Sequence, residues 1–394
     1  MRILFEPLAG AIGLGAITRC LALSEQAVLR GHTVAFHAQP YPLVERHSHG
    51  PRFDAPVPTR PPGVRDPQST SFAEAIHLRG LAEPGYLETA IAAELDTIDR
   101  FRPDVVVTEW QPTVPISAHI AGVPFAATLA TTELAVLVGD PPDPAFRDVD
   151  ATIASACRDH GVPEPGSLEE LLHCTSVVNL APTTELLEPM LASVPRTRYV
   201  GPLLFAPLEL TPAPELPQSE VRVLVYVGAG AVKVRELLPV LAKAFPAPRH
   251  SVLVAARESS VDGLDTPFQH ENITVAHEPG LTRALRDSDI VVARGSQNAV
   301  AACLLAGVPV IGTPGTRDSE PLFNMGVLEG HGVGRTILGT PTATDLADAA
   351  DELLNGGAAH RAARLGDALR RHGGAVEAVR ALEESVAGLS SRDQ

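Results

Sequence analysis

The residues best suited to chemistry follow one short apolar run in the second half of the chain. That run, Ile290–Ala293, passes directly into a polar turn with the sequence Arg294, Gly295, Ser296, Gln297 and Asn298. A helix predicted over Ala299–Ala306 follows, and Gly307 ends it. The start of a helix offers unpaired amides and the positive end of the helix dipole, and Arg294 can add a charge-assisted hydrogen bond. The pattern therefore predicts a site for a phosphate group.

The same pattern has a second interpretation. Arg294 could pair with a carboxylate of the protein, and Ser296 could simply cap the helix. Strand, glycine and helix follow one another in most α/β proteins, so these residues alone leave both interpretations open.

The spacing of several landmarks resembles the donor-binding signature of GT-B glycosyltransferases of the macrolide and plant small-molecule type. In that family a strand ends in His-Gly-Gly-x-Gly-Thr or His-Cys-Gly-x-Asn-Ser, then come a helix, Gly-Val-Pro, a strand, and an acidic residue followed by Asn. The matching segments here lie in the same order along nearly the whole chain: Gly15–Arg19, Arg30–His32, His277–Pro279, Arg294–Ala299, Gly307–Pro309 and Pro314–Asn324.

This resemblance implies an α/β protein of GT-B architecture, with two Rossmann-like domains facing across a cleft. It implies an inverting, metal-independent transfer of a sugar from a TDP- or UDP-sugar to a small natural-product acceptor, with no cofactor beyond that co-substrate. The N-terminal domain would bind the acceptor and the C-terminal domain the donor.

The resemblance also assigns residues to subsites. The donor diphosphate would contact Arg294, Gly295, Ser296, Gln297, Asn298, Gly228 and Ala229. The donor sugar would contact Glu320 and Asp318, and the nucleoside would contact His277 and Glu278. The acceptor pocket would include Gly13, Leu14, Gly15, Ala16 and Trp110.

Both signature histidines of the family are replaced in this chain. Arg294 stands at the donor-side position and keeps a positive charge at every pH. Ala16 stands at the position of the general base and cannot accept a proton. Glu109, which follows an apolar strand, is the candidate base, because the family often places an acidic residue there. Glu6, at the end of the first strand, and Asp318 or Glu320 in the donor loop are weaker candidates.

The alanine at position 16 is compatible with several possibilities. Glu109 could be a structural carboxylate, and the acceptor could be an amine that needs little deprotonation. The histidine could have been replaced deliberately, or the chain could be a non-catalytic homologue that binds a ligand or helps a partner enzyme. A nucleotide-sugar epimerase on the same fold is a third function to consider.

The acidic loop after the donor turn departs from the family pattern. Glu320 has Asn324 four residues later, as the family has for its acidic residue, but Pro321 takes the place of the usual Gln. Asp318 lies two residues earlier. Either carboxylate could accept hydrogen bonds from sugar hydroxyls, and the alternative is a solvated acidic loop.

Elements of two α/β units must position these residues. Alternating strand and helix patterns begin at Arg2–Pro7, stop at the proline-rich stretch Ala206–Gln218, and restart at Arg222–Val227. We therefore predict an acceptor domain over 1–205, a linker over 206–219, a donor domain over 220–374, and a C-terminal helix over 375–394 that packs back on the first domain. Pro51–Gln68 is predicted to be a mobile surface loop.

Composition limits the classes of function. The 394 residues carry a formal charge of −16, which argues against binding of nucleic acid. No apolar run has the roughly 20 residues needed to cross a bilayer, so membrane insertion is not expected. Four scattered cysteines predict neither a zinc knuckle nor a disulfide scaffold, and they suit the cytoplasm. The partners expected are the nucleotide-sugar donor and the small-molecule acceptor, and a homodimer is left open.

Overall fold

The computed structural model describes most of the chain. The described residues are 1–8, 14–62, 69–134, 144–205, 214, 216–226, 234–256, 270–277, 281–316 and 318–390, and within them the side chains of 144–146, 256, 277, 281 and 390 are not described. The chain divides into two compact units, which we call unit 1 (Met1–Phe205 with His372–Gln394) and unit 2 (Ala206–Arg371).

Unit 1 is a parallel sheet flanked by helices. Its strands are β1 (Arg2–Pro7), β2 (Thr33–Ala38), β3 (Arg52–Asp54), β4 (Val105–Glu109), β5 (Phe125–Thr128), β6 (Asn179–Ala181) and β7 (Thr197–Tyr199). Its helices before the linker are α1 (Leu14–Leu29), α2 (Pro42–His47), α3 (Phe72–Leu78), α4 (Pro84–Phe101), α5 (Val114–Ala121) and α6 (Pro144–Asp159).

The strand order of unit 1 is β3-β2-β1-β4-β5-β6-β7, and each neighbouring pair is parallel. The direction of chain progression reverses between β1 and β4, where Pro7 lies beside Glu109. In open α/β sheets, ligands bind beyond the carboxyl ends of the strands at such a reversal. The end of β4 is therefore a place to look for a site.

Unit 2 repeats the same design. Its strands are β8 (Val221–Tyr226), β9 (His250–Ala256), β10 (Ile273–His277), β11 (Ile290–Ala293), β12 (Val310–Gly312) and β13 (Gly334–Thr336). Its helices are α7 (Val234–Ala244), α8 (Leu281–Arg286), α9 (Gln297–Ala306), α10 (Ser319–Gly330), α11 (Ala343–Asn355) and α12 (Ala358–Arg370).

The order of this second, parallel sheet is β10-β9-β8-β11-β12-β13. Its reversal lies between β8 and β11, so Arg294 directly follows a strand at the reversal. Near-continuous apolar strands such as Ile290–Ala293 are fully buried because helices cover both faces of a parallel sheet.

The last helix, α13 (Ala375–Ser390), belongs to unit 1. It packs on α1, and Ala378, Val379 and Leu382 are buried in the same apolar cluster as Ile3 and Phe5 of β1. The amide of Gly374, just before the helix, donates to the carbonyl of Val200 (2.6 Å). The end of the chain is therefore part of the core of the N-terminal unit.

The strands predicted at Arg2–Pro7 and Ile290–Ala293 have the predicted bounds, and the strand predicted from Arg222 begins one residue earlier, at Val221. The interpretation of 51–68 as a loop throughout was wrong at one point, because Arg52–Asp54 forms the edge strand β3. Its three residues are too few and too polar for the alternation to be visible. Most of the predicted linker, 206–213 and 215, lies outside the described residues. No helix in the described ranges is long and apolar enough to cross a membrane.

Candidate functional site

The turn after β11 has a backbone that only glycine adopts easily. Gly295 has φ of +100°, and a Cβ at this position would lie 2.7 Å from Cγ of Met325. Ser296 then has extended backbone and α9 begins at Gln297, so the amides of the first helical turn lie at the carboxyl end of β11. The predicted strand, glycine turn and helix are therefore all present in unit 2.

Two carboxylates of the acidic loop already contact this turn. Glu320 accepts a hydrogen bond from the amide of Gln297 through Oε1 (2.8 Å), and Asp318 forms an ion pair with the guanidinium of Arg294. The hydroxyl of Ser296 does not cap the helix. The structure thus contains one feature of the alternative interpretation, the pairing of Arg294 with a carboxylate. It does not contain the other, a cap from the Ser296 side chain.

Asn324 completes the packing of the two loops. Its side-chain amide donates to the carbonyl of Gly295 (3.0 Å) and lies 3.5 Å from Oε1 of Glu320. In the sequence pattern Asn324 is only a spacing landmark. In the structure it holds the Arg294 turn against α10.

The Arg294 pair is only partly shielded from solvent. The side chain of Arg294 is 28% exposed and that of Asp318 is 12% exposed. Water therefore reaches the guanidinium, and an anionic ligand could approach it. The predicted contacts of Glu320 and Asp318 with a sugar stay predictions, because the described contacts of both residues are within the protein.

Several predicted donor residues fall outside what the structure describes. These are Gly228, Ala229, Glu278 and the side chain of His277. Gly13 of the predicted acceptor pocket is also outside the described residues. Asn298 lies in the first turn of α9 and is half-buried.

The predicted acceptor residues of unit 1 lie around the start of α1 and the end of β4. Leu14 and Gly15 are the first residues of α1, and Ala16 is buried in an apolar cluster with Phe72 and, partly buried, Trp110. The Trp110 ring packs edge-on against Phe72 with ring centres 5.0 Å apart, and its backbone has φ of 66°. A positive φ in a tryptophan is strained, and such strain collects at functional turns.

Glu109 is held on both carboxylate oxygens. Arg19 of α1 donates from Nε to Oε1 (2.9 Å) and forms an ion pair through Nη2, while the hydroxyl of Thr128 donates to Oε2. The Glu109 side chain is 1% exposed. A base must first give up one of these contacts, so the role of Glu109 as a base stays a prediction that the described contacts do not favour.

A second buried polar group lies near the carboxyl ends of β1 and β2, and the sequence pattern indicates only one of its members, Glu6, as a weaker candidate base. Nδ1 of His37, near the end of β2, bonds to Glu6 at the end of β1, and both side chains are at most 3% exposed. Burial opposes the charge on His37, but the neighbouring Glu6 carboxylate outweighs it and raises the pKa of His37. A polar residue within the otherwise apolar strand TVAFHA was the available signal.

Glu94 of α4 belongs to the same group. It is fully buried and accepts hydrogen bonds from Thr113 and Ser117. Burial first, and then the nearby charge of Glu6, raise its pKa to about 8. Burial thus favours the neutral form of the Glu94 carboxyl at neutral pH.

Comparison with known proteins supports the architecture. No protein-family model matches the chain, and no curated protein matches it. Among solved structures, the glycosyltransferase of kitacinnamycin is 20% identical with a TM-score of 0.76, and 98% of each chain is covered. CalG4, the calicheamicin glycosyltransferase, is 16% identical with a TM-score of 0.78 and the same coverage.

The chain has the GT-B fold. A third structure of this fold, the spinosyn rhamnosyltransferase SpnG complexed with thymidine diphosphate, is 17% identical with a TM-score of 0.72, and 97% of this chain and 100% of that one are covered. The fold prediction, two parallel Rossmann-like sheets as in natural-product glycosyltransferases, is confirmed. At this identity the likeness extends to the GT-B fold, and the substrates of this chain need a separate argument.

Proposed function

We propose that this chain is an inverting, metal-independent glycosyltransferase that moves a sugar from a TDP- or UDP-sugar to a small natural-product acceptor. The observation that carries the proposal is the Arg294 turn at the reversal of the second sheet. A guanidinium and the start of a helix lie together there, and each already stabilises a carboxylate. The same two groups suit the oxygens of a diphosphate.

The chemistry follows from where negative charge develops. When the acceptor atom attacks the anomeric carbon, the bond from that carbon to the diphosphate oxygen breaks and the charge moves onto the diphosphate. Arg294 and the first amides of α9 would stabilise that charge, and fixed donors of this kind are effective because they need no reorganisation. Asp318 and Glu320 would have to share these donors with the ligand or yield them.

The acceptor proton needs a different account from that of the resembling family. Ala16 cannot take it, and Glu109 is bound to Arg19 and Thr128. An amine acceptor, or one already ionised at neutral pH, would need little help from a base. We therefore favour such a nucleophile over a neutral alcohol.

The buried Arg19–Glu109 pair also favours a second candidate function. A GT-B homologue that binds ligands without catalysis would have no need of a base, and it could use the same arginine and glutamate purely for stability. Such a protein would bind a donor or an acceptor but would not turn it over.

Calorimetric titration of the full chain with TDP and UDP tests the proposal. We expect one nucleotide to bind, and R294A to weaken that binding by at least about tenfold, or about 1.4 kcal/mol. R335A is the matched control, because Arg335 is a second arginine of unit 2 that pairs with a carboxylate, Glu352. If neither nucleotide binds, or if R335A has the same effect, the donor assignment is wrong.

Turnover then separates the two candidates. Incubation with TDP- or UDP-sugars and a panel of amine and acidic acceptors should give a glycosylated product for the enzyme. Nucleotide binding with neither transfer nor hydrolysis of the sugar nucleotide would favour the non-catalytic homologue.

A further inference from the structure

Unit 1 contains a cavity of about 260 Å³ at the carboxyl ends of β1 and β2. Its wall includes Leu8, Ile17 and Tyr41, which are apolar or aromatic, and the polar side chain of Gln39. The volume lies just below the range of roughly 300–1,000 Å³ that is common for small-molecule pockets, so an occupant would have one or two rings. Its place at the carboxyl edge of the sheet is where α/β proteins bind ligands.

Two arginines, Arg60 and Arg79, line this cavity. None of the described residues that line it is acidic. In the part of the chain that the structure describes, Arg60 is exposed and forms no ion pair. Arg79 donates an N–H to the carbonyl of Ala75 (2.9 Å) and carries a positive charge at every pH.

The backbone itself brings the two arginines together. Gly80, next to Arg79, has φ of +73°, and a Cβ there would overlap the carbonyl oxygen of Thr59, next to Arg60. Only glycine at this position lets the segment before Arg60 pack against the turn after α3. The fold of unit 1 therefore holds the backbone next to Arg79 close to the backbone next to Arg60.

The charge of the whole chain makes this local positive charge informative. At −16, the molecule as a whole repels anions, so a local concentration of positive charge favours anion binding at that place. Guanidinium groups recognise carboxylates in planar, two-point geometry. The apolar wall beside them suits a flat ring.

We propose that this cavity binds an acceptor that carries a carboxylate on an aromatic or otherwise flat apolar body, with Arg60 and Arg79 as the residues that select the charge. The inference rests on the proposed function, in which unit 1 takes the acceptor. It adds the substrate class: a small organic acid rather than a neutral aglycone.

The experiment compares two ligands that differ only in charge. The full chain is titrated by calorimetry with 6-hydroxy-2-naphthoate and with its neutral partner, 6-hydroxy-2-naphthamide. We expect the carboxylate to bind at least about tenfold more tightly. R60Q and R79Q should each remove most of that preference, because glutamine has no positive charge to pair with the carboxylate.

Arg52→Gln is the matched control, because Arg52 is an exposed arginine on β3 that does not line the cavity. It removes the same charge from the same unit. Arg79 also donates to the carbonyl of Ala75 in α3, so R79Q also removes a contact within the fold. R60Q changes an exposed side chain, so R60Q by itself is sufficient to test the inference. The fluorescence of Trp110, the single tryptophan, checks that unit 1 of each variant is folded.

Equal binding of the two ligands, no binding of either, or the same loss in R52Q and R60Q would overturn the inference. A parallel titration with TDP distinguishes this failure from failure of the proposed function. TDP binding without preference for the carboxylate rejects the acidic acceptor alone. Preference for the carboxylate without nucleotide binding rejects the glycosyltransferase and supports the anion site.

Discussion

Each unit has an arginine–carboxylate pair at the carboxyl edge of its sheet, next to the start of a helix, and the two pairs differ in exposure. In unit 1 the side chains of Arg19 and Glu109 are 11% and 1% exposed. In unit 2 those of Arg294 and Asp318 are 28% and 12% exposed. The same chemical pair is thus enclosed in unit 1 and somewhat more exposed in unit 2.

The difference in exposure indicates which of the two pairs can exchange a partner for a ligand. Removing one member of a buried ion pair leaves a charge without compensation, so such pairs are held in place. A more exposed pair contributes less to stability, because solvent screens the attraction between its charges. We infer that Arg19 and Glu109 hold the fold of unit 1, and that Arg294 can release Asp318 for an incoming anion.

The substitution R19A should have the largest effect. It leaves Glu109 buried without a positive partner, and we expect the free energy of unfolding to fall by about 3–5 kcal/mol. Urea unfolding followed by Trp110 fluorescence reports on unit 1, because this is the only tryptophan.

A double variant serves as its control. R19M/E109Q removes both charges and should recover most of the lost stability, because no charge is then buried alone. A fall of less than about 1 kcal/mol in the free energy of unfolding of R19A lies within the range of surface ion pairs. Such a result would contradict the conclusion that Arg19 and Glu109 hold the fold of unit 1.

The stability of unit 1 is expected to depend on pH. The folded state keeps the proton of Glu94 up to about pH 8, whereas the unfolded carboxyl loses it near 4.5. The folded state therefore binds more protons between these values, and stability falls as pH rises through this window. His37, whose pKa is also raised, acts in the same direction.

We expect the free energy of unfolding of unit 1 to fall by at least about 2 kcal/mol between pH 5 and 8, since one pKa unit corresponds to about 1.4 kcal/mol. E94Q should reduce the dependence of the free energy of unfolding on pH. E83Q is the control and should not reduce it, because Glu83 is an exposed residue at the start of the same helix. A slope that persists unchanged in E94Q would refute the role given to Glu94.

A smaller effect is expected from G295A in the turn of unit 2. The new Cβ would require a strained backbone and would displace Met325, at a cost of about 1–3 kcal/mol. Differential scanning calorimetry of the full chain measures it. G326A is the control, because no atom lies within 4 Å of a Cβ there, and alanine is the better helix former. Equal stability of G295A and G326A would show that the turn is not tightly fixed.

The smallest effect is expected from D318N, which tests the role of the acidic loop. If Asp318 competes with a diphosphate for Arg294, D318N should raise TDP affinity by about threefold, or about 0.6 kcal/mol. If Asp318 instead holds sugar hydroxyls, TDP affinity stays constant and the affinity for a TDP-sugar falls. D348N, which removes an exposed charge from α11, controls for the general loss of negative charge.

Strands and helices with strong periodicity could be predicted from the sequence, and so could the Arg294 turn. Ile290–Ala293 is buried on both faces and Gly295 is required by the backbone, so pattern and structure agree there. The edge strand β3 could not be found in this way, because its three residues are stabilised by β2 and not by their own pattern.

The partners of the site residues could not be predicted. Arg19 and Glu109 lie 90 positions apart and meet only because α1 and β4 pack together. Likewise, the pattern does not show that Asp318 pairs with Arg294 or that Glu320 accepts from the amide of Gln297 at the start of α9. Sequence spacing shows which residues follow a strand, whereas only the packed loops show what each side chain contacts.

A crystal structure of the chain with bound TDP tests the central claim most directly. We predict a β-phosphate oxygen within about 3 Å of the Arg294 guanidinium and of an amide at the start of α9, with Asp318 moved away from its ion pair. A diphosphate bound elsewhere, with the contacts of Arg294 to Asp318 and of Gln297 to Glu320 unchanged, would contradict it.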